Sequence, residues 1–287
     1  AVDLPDTVIQ RINEHTGSVI CRTSPLGGGC IGDVRKVELA DGRQLVAKLE
    51  NNSSNLAIEG FMLRYLANQG SFPVPAVLFC DEDMLLLQFL PSNGSIDKAA
   101  EINAADAVAD LHNITQDNFG FECDTLIGGL TQPNPLTASW LDFFREARLF
   151  HMADEAVVEQ RLPTVLRHRI DNIAKRLGSW IDETAPPALL HGDLWGGNIL
   201  CNDSRVSGFI DPAIYFGNPE IELAFTTLFK TFGSVFFDRY REHHKITPGF
   251  FEERRDLYNL YPLLVHVRLF GGTYIESVNQ TLAKYGC

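Results

Sequence analysis

The sequence has little positive charge and no long hydrophobic run. Its 287 residues include 24 lysines and arginines against 37 aspartates and glutamates, which gives a formal net charge of −13. Such an acidic chain is a poor partner for a nucleic-acid backbone, and its charge mildly favours a neutral or cationic small substrate. No apolar run approaches the roughly 20 residues that a membrane-spanning helix needs. The first residues, AVDLPDTVIQRINEH, also lack the basic start and apolar core of a secretory signal, so we expect a cytoplasmic protein without a membrane partner.

Paired cysteine motifs are missing as well. The chain has no C-x-x-C pair and no cluster of cysteine and histidine at the spacing of a zinc site. The six cysteines are instead scattered, at positions 21, 30, 80, 123, 201 and 287. This pattern disfavours a disulfide framework or a zinc module and predicts reduced thiols.

The stretch 189–212, LLHGDLWGGNILCNDSRVSGFIDP, carries the strongest chemical signal. Asp193 and Asn198 have the same five-residue offset as the Asp and Asn of the protein-kinase catalytic loop, and Asp211 ends a later apolar run. Phosphoryl transfer from ATP needs a carboxylate at the acceptor hydroxyl, and an amide with a second carboxylate on Mg²⁺. We therefore predict that Asp193 is catalytic and that Asn198 and Asp211 bind the metal. Ordinary turns built from Asp and Asn are the competing interpretation.

Four glycines lie between two predicted strands, in the segment LGGGCIGD at 26–33. Glycine lets backbone amides approach phosphate groups without interference from side chains. The segment has neither the G-K-[ST] end of a Walker A loop nor the following helix of a Rossmann turn, and its place between strands is that of a kinase glycine-rich loop. A flexible hairpin tip is the alternative. The residues predicted to cover the phosphates of ATP are Gly28, Gly29, Cys30, Ile31 and Gly32.

Val46 and Lys48 alternate along the strand predicted at 44–49 and so share one of its faces. We predict that Val46 contacts the adenine base and Lys48 the phosphates, although a solvent-facing lysine on an edge strand has the same pattern. Glu59 lies on or beside the apolar face of a helix predicted over 53–69, where an unpaired carboxylate is costly. Lys48 is its expected partner, as in the Lys–Glu ion pair of protein kinases.

Strand signals dominate the first 90 residues. A helix is predicted over 4–15, and strands are predicted over 18–22, 33–39, 44–49, 77–80 and 84–90. The Asp41-Gly42 pair is typical of a two-residue hairpin turn. The segment 91–94, Pro-Ser-Asn-Gly, is typical of a boundary. We therefore predict that Gln88, Phe89 and Leu90 form a hinge that holds adenine by its backbone.

Helical periodicity dominates after residue 95. Helices are predicted over 95–114, 137–151, 157–181, 218–231 and 248–270, and a last helix follows Gly271-Gly272 and ends at 285. The predicted fold class is α+β, a bilobal protein-kinase-like fold. Residues 1–90 would form a small antiparallel-β N-terminal ATP-binding lobe with one key helix, and residues 91–287 a larger, mainly helical lobe.

These motifs together resemble those of the fructosamine kinase (ketosamine-3-kinase) family, which is related to aminoglycoside phosphotransferases and choline kinases. The similar segments are NFGF at 118–121, IGGLTQPNP at 127–135, WLDFFREARL at 140–149, HGDLWGGN at 191–198, DPAIYFG at 211–217 and LYNLYPLLVHVRLFGGTY at 257–274. Two places depart from the family pattern. The family usually has Asp-Arg-Glu-x-Asp after Gly217, where this chain has NPEIE at 218–222, and Thr125 or Leu126 replaces a usual asparagine.

The resemblance implies ATP-dependent phosphorylation of the 3-hydroxyl of a ketoamine, with ATP and Mg²⁺ as cofactors. The phosphorylated ketoamine would decompose and free the amine, so the activity would repair glycation. By the same resemblance Trp195, Tyr215 and Glu220 are predicted to contact the substrate, with core packing as the alternative for Trp195. His191 is predicted to brace the catalytic loop. His112, His266 and Trp140 are assigned to packing.

Three other functions fit parts of the pattern. A kinase of another small hydroxyl compound, such as an aminoglycoside, choline or a sugar, would share the ATP-binding residues. A pseudokinase would bind nucleotide without turnover, and a metal-dependent hydrolase could use Asp193, Asp211 and His191. A further hypothesis concerns Cys30: its position in the glycine-rich segment would favour oxidation, and a disulfide between two chains of a homodimer would then block ATP.

Overall fold

The computed structural model describes residues 2–27, 32–50 and 55–287. Its contacts divide into two compact units, Ala1–Ser95 with Gly197–Asp211, and Ile96–Gly196 with Pro212–Cys287. This division differs from the predicted boundary after residue 90, because the segment 197–211 packs with the first unit. Asn93 N donates to Cys201 O at 3.1 Å, and Ser207 Oγ donates to Pro91 O at 2.6 Å.

The first unit contains a five-stranded antiparallel sheet with strand order β1-β2-β3-β5-β4. Its elements up to residue 95 are α1 (Asp6–Thr16), β1 (Ile20–Pro25), β2 (Asp33–Leu39), β3 (Gln44–Leu49), α2 (Leu56–Ala67), β4 (Val77–Cys80) and β5 (Met84–Gln88). The β2–β3 hairpin turns at Asp41-Gly42 as predicted, and Gly42 has a φ of 90°, a value that favours glycine.

A helix covers each face of this sheet, and alternate side chains of β3 pack towards one helix or the other. Leu45 and Ala47 pack on one face in a cluster that includes Ile12 of α1. Val46 packs on the other face against Leu56 and Leu63 of α2 and against Leu85 and Leu87 of β5. Lys48, two residues beyond Val46, therefore points to the side of α2, as the alternation predicts.

The remaining elements are mostly helical. They are α3 (Lys98–His112), β6 (Thr125–Ile127), β7 (Leu130–Gln132), α4 (Trp140–Phe143), which continues through a π-helical stretch (Phe144–Phe150) into α5 (His151–Val158), α6 (Thr164–Ala174), β8 (Ala188–Leu190), β9 (Ile199–Asn202), β10 (Arg205–Phe209), β11 (Tyr215–Gly217), α7 (Pro219–Leu228), α8 (Ser234–His243), a π-helical stretch (Phe250–Arg254) leading into α9 (Arg255–Phe270), and α10 (Thr273–Lys284). Among the described residues, none of these helices has the length and apolarity to cross a membrane.

Some helix predictions were wrong. The helix predicted over 157–181 is instead the end of α5, a break and then α6. The break has a physical cause: Gln160 has a φ of 60°, the Arg161 and Leu162 amides both donate to Ala156 O, and Pro163 has no amide to continue the ladder. The helix α8 and the short β6–β7 hairpin had no predicted counterpart.

Two short antiparallel pairs position the stretch 189–212. In the first unit β9 pairs with β10, with Ile199 opposite Phe209. In the second unit β8 pairs with β11, with Leu190 opposite Tyr215. Both pairs end at the polar residues that the sequence singles out.

Candidate active site

Lys48 lies between two carboxylates of the first unit. Its ammonium group donates to Glu59 of α2 and, at 2.5 Å, to Asp211 Oδ1. The side chains are 11%, 15% and 22% exposed for Lys48, Glu59 and Asp211. The Lys48–Glu59 pair expected from the sequence is therefore present, and Asp211 joins it from a position 163 residues away.

The charges of this cluster do not balance. Burial raises the pKa of Glu59 to about 7, against the lowering effect of Lys48, and the nearby Asp211 carboxylate raises the pKa further. Two carboxylates thus share one ammonium group, so the cluster has excess negative charge when both acids are ionised. Such a cluster suits a divalent cation.

Asn198 directly precedes β9 and Asp211 follows β10, so both lie at the open end of the β9–β10 hairpin. Ile199 pairs with Phe209, and Ile210 N donates to Asn198 O at 2.9 Å. Asn198 is 4% exposed, and Asp211 has a φ of 50°. Amide and carboxylate oxygens are hard ligands of the kind that Mg²⁺ accepts together with substrate phosphates. Among the described residues, no group of three or more His, Cys, Asp or Glu side chains could hold a metal ion by itself.

The loop that holds Asp193, predicted to be catalytic, begins in the second unit at the end of β8. Gly192 has a φ of 90°, and a Cβ at this position would lie 1.9 Å from Ala213 O, so only glycine fits. The Ala213 amide donates to His191 O at 2.7 Å. The Asp193 amide donates to His191 Nδ1 at 3.2 Å, which makes Nδ1 an acceptor. His191 is fully buried, so it braces the loop as the sequence predicted.

Glu222 of α7 also holds this loop, and sequence reasoning missed it. Its Oε1 accepts from Gly192 N at 2.7 Å and its Oε2 from His191 N at 3.2 Å. Oε2 lies 2.7 Å from His112 Nε2, and His112 Nδ1 lies 2.8 Å from the Tyr240 hydroxyl. His112, predicted as a packing residue, is thus buried but belongs to a polar network. The sequence did offer one signal: this chain has a glutamate at 222, where the family pattern has an aspartate.

The Glu222 carboxylate is held ionised by its partners. Burial by itself would raise its pKa, but the hydrogen bond from His112, the electrostatic effect of the nearby His112 and His191 side chains and the Gly192 amide together lower it. Its proton affinity is therefore lower in the folded chain than in the unfolded chain, where the pKa has its ordinary value of 4.5.

Glu222→Gln should lower the free energy of unfolding by about 1–3 kcal/mol at pH 7, because an amide nitrogen replaces one charged acceptor of the buried backbone amides. The stabilisation from Glu222 is complete above pH 4.5 and is lost as the pH falls through the lowered pKa. The difference between wild type and variant should therefore shrink in acid. Urea unfolding between pH 3 and 7 measures it.

Glu183→Gln is the matched control, since exposed Glu183 also accepts a backbone amide, from Leu141 at 3.0 Å. Its effect should stay within about 0.5 kcal/mol, as for other surface substitutions. Equal losses of unfolding free energy in the two variants would show that the buried network stabilises the fold no more than an exposed hydrogen bond does.

The predicted substrate residues differ in their surroundings. Tyr215 is 2% exposed, its ring packs on Phe143 with centroids 5.6 Å apart, and the Arg148 guanidinium lies 4.0 Å from its centroid. It also lines a cavity beside Gly192 and Glu222, so its contact with a substrate stays a prediction. Glu220 accepts two hydrogen bonds from Arg254, at 2.8 and 2.9 Å. Trp195 is partly exposed.

The predicted nucleotide contacts are described only in part. Gly28, Gly29, Cys30 and Ile31 lie outside the described residues, while Gly32 has a φ of 113°. In the predicted hinge, the backbone N–H of Gln88 donates to Ala76 O at 2.9 Å, and the side-chain Oε1 of Gln88 accepts from Ala76 N at 3.2 Å. The contact of adenine with the backbone of Gln88, Phe89 and Leu90 stays a prediction.

The chain is similar in sequence and structure to several known proteins. The fructosamine kinase family model matches residues 5–286. The protein named probable ketoamine kinase in Synechocystis sp. is 32% identical over 294 residues, which cover 97% of this chain and 95% of that protein. A provisionally named fructosamine-3-kinase of Thermobifida fusca has a similar solved structure, with a TM-score of 0.87, 28% identity and 98% of each chain covered.

A more distant similarity bears on the fold alone. The structure of an ADP-bound aminoglycoside phosphotransferase matches with a TM-score of 0.67 at 18% identity, covering 97% of each chain. The predicted protein-kinase-like α+β fold is thereby confirmed.

Proposed function

The chain belongs to the fructosamine kinase family, and on that premise we propose that it transfers the γ-phosphoryl group of ATP to the 3-hydroxyl of a ketoamine. The phosphorylated ketoamine would then decompose and release the amine, which makes the reaction a repair of glycation. The observation that carries the proposal is the Lys48–Glu59–Asp211 cluster, which follows the pattern of a phosphoryl-transfer enzyme. The active-site residues expected of an ATP-dependent kinase are all present in the sequence, namely Lys48, Glu59, Asp193, Asn198 and Asp211. Their presence disfavours a pseudokinase.

Asp193 is the proposed catalytic residue. Its carboxylate would orient the acceptor hydroxyl and take its proton as the bond to phosphorus forms. His191 and Glu222 hold the backbone amides of residues 191–193, so the carboxylate would be positioned before the substrate arrives. Most of the rate enhancement would come from such positioning and from charge stabilisation.

Lys48, Asn198 and Asp211 are the proposed charge-bearing groups around the phosphates. Asn198 and Asp211 would hold Mg²⁺, which when bound neutralises charge on the phosphate oxygens. Lys48, oriented by Glu59, would contact the phosphates. The amides of residues 28–32 would cover them, and the backbone of residues 88–90, with Val46, would contact adenine.

Wild-type protein with Mg²⁺-ATP should consume ATP only when a ketoamine is present, with 1-deoxy-1-morpholinofructose and the corresponding ribulose compound as the substrates to compare. ATP consumption coupled to ADP detection measures this, and ³¹P NMR of the product locates the phosphate. Kanamycin and choline serve as control acceptors. Turnover of a control without ketoamine turnover would move the substrate to another branch of the small-molecule kinases, and failure to bind ATP would overturn the proposal.

Two remaining features belong to the same proposal. The protein would act in the cytoplasm, where ketoamines form on free amines and lysines. Cys30 would link two chains by a disulfide under oxidising conditions and so block ATP. Equal ATP turnover by oxidised wild type, reduced wild type and a Cys30→Ser variant would dispose of that switch.

A further inference from the structure

Five ring-bearing side chains form a row on the second unit, which we call the aromatic wall: Trp195, Phe229, His266, Phe270 and Tyr274. Phe229 is 38% exposed and Phe270 is 60% exposed. A single exposed apolar side chain needs no explanation, but a contiguous exposed patch commonly marks a binding site.

The wall is continuous with the catalytic loop. Trp195, two residues after Asp193, meets Phe229 edge to face with centroids 5.8 Å apart. Phe229 lies 5.1 Å from His266, which in turn lies 4.9 Å from Tyr274 and 5.7 Å from Phe270. The loop is also tied to the segment after α7, because Gly196 N donates to Thr231 Oγ1 at 2.9 Å.

A glycine pair builds the far end of the wall. Gly271 and Gly272 have φ values of 62° and 58° with ψ values of −141° and −124°, a region that only glycine adopts readily. This turn separates α9 from α10 and brings Tyr274 back over His266. Side chains from the catalytic loop, α9 and α10 and the segment after α7 thus share one surface.

His266 is uncharged in this row. Burial lowers its pKa, only partly opposed by the hydrogen bond with Pro262 O. Because a carbonyl oxygen can only accept, Nδ1, 2.6 Å away, carries the proton, and Nε2 keeps a lone pair. The centre of the wall is therefore a neutral ring with an acceptor atom, surrounded by aromatic faces.

We propose that the aromatic wall binds the amine-bearing part of the ketoamine and so determines which amines are accepted. The inference rests on the proposed function. A ketoamine has a sugar at one end and an amine substituent at the other, and the nitrogen between them is a secondary ammonium at neutral pH. With the sugar hydroxyl at Asp193, the substituent would extend along the rings that begin at Trp195. Aromatic faces attract a cation and pack against an apolar substituent, and this acidic chain favours a cationic ligand.

The test compares two fructosamines that differ only in the amine, one made from methylamine and one from benzylamine. In a Phe229→Ala/Phe270→Ala variant, kcat/KM for the benzylamine compound should fall about tenfold, the size expected for the loss of one or two aromatic contacts. The change should lie in KM, with kcat unchanged, and the methylamine compound should lose less than about twofold. Phe270→Tyr, which keeps a ring face, should retain the wild-type preference.

Val165→Ala is the control, since Val165 is 64% exposed on α6 and lies outside the wall. Equal losses for both substrates, or no loss for either, would overturn the inference. The 3-deoxy analogues of both compounds, which cannot be phosphorylated, give a second readout by calorimetry. If wild type turned over no ketoamine, the proposed function would fail. The ratio of the dissociation constants of the two 3-deoxy analogues, compared between wild type and variant, would still decide whether the wall selects amines.

Discussion

Asp193→Asn should lower kcat by about 10³-fold, since proton transfer by a positioned side chain contributes on the order of 10²–10⁴ in rate. Asparagine keeps the size of the side chain and one oxygen that can accept a hydrogen bond, but it cannot take the hydroxyl proton. The hydrogen bond to His191 Nδ1 is donated by the backbone amide of Asp193, so the substitution should leave it unaffected. Steady-state kinetics with saturating ATP and ketoamine measure the loss.

The affinity for Mg²⁺-ATP should remain within about twofold of wild type, because Asp193 is assigned to the acceptor hydroxyl. A fluorescent-nucleotide displacement assay checks this. Asp182→Asn provides the matched control, since exposed Asp182 accepts from the nearby Thr184 amide and hydroxyl. A variant at 193 that kept more than a tenth of the wild-type kcat would show that the carboxylate orients the hydroxyl and does not act as a base.

Asp211→Asn should also lower kcat by about 10³-fold, but without a loss of stability. The neutral amide is a poor substitute for a carboxylate on Mg²⁺. The backbone at 211 has a φ of 50°, and asparagine is among the few residues that tolerate this region, so the local fold should persist. The substitution also replaces one of the acidic partners of Lys48, keeps Glu59, and removes the charge that helps raise the pKa of Glu59.

Two measurements separate these effects. Thermal unfolding without metal should give a free energy for Asp211→Asn within about 1 kcal/mol of wild type, because the unbalanced charge of the cluster is relieved. Asp203→Asn is a suitable control, since Asp203 has the same positive φ of 50° in the exposed β9–β10 turn. If activity and stability fell together in Asp211→Asn, the residue would be a structural anchor and its assignment to the metal would be wrong.

The Lys48–Glu59 pair could be predicted from the sequence because its signals are local. Strand alternation fixes the face of Lys48, and helical periodicity fixes the face of Glu59, so two short-range rules placed both on one side of the sheet. The same holds for the Gly42 turn, where one dipeptide sets the register of a hairpin.

Glu222 and His112 could not be found in this way. The two residues are 110 positions apart, and Glu222 reaches the amide of Gly192 from 30 positions away. Nothing in the immediate neighbourhood of either residue marks the bond, since each lies on an apolar helix face where packing is the usual role. The burial of Tyr215 is of the same kind, because Phe143 and Arg148 reach it from a distant helical stretch.

The segment 197–211 limits how far this enzyme can be treated as a set of exchangeable modules. Phe209 stacks on Phe72 with ring centroids 4.4 Å apart, and its amide donates to Pro73 O at 2.9 Å. A gene cut after residue 95 would separate this hairpin from the unit against which it packs, so neither fragment would encode a whole compact unit. Recombination between relatives would therefore have to exchange 1–95 and 197–211 together, and the ligands assigned to the metal would always be inherited with the lysine that faces them.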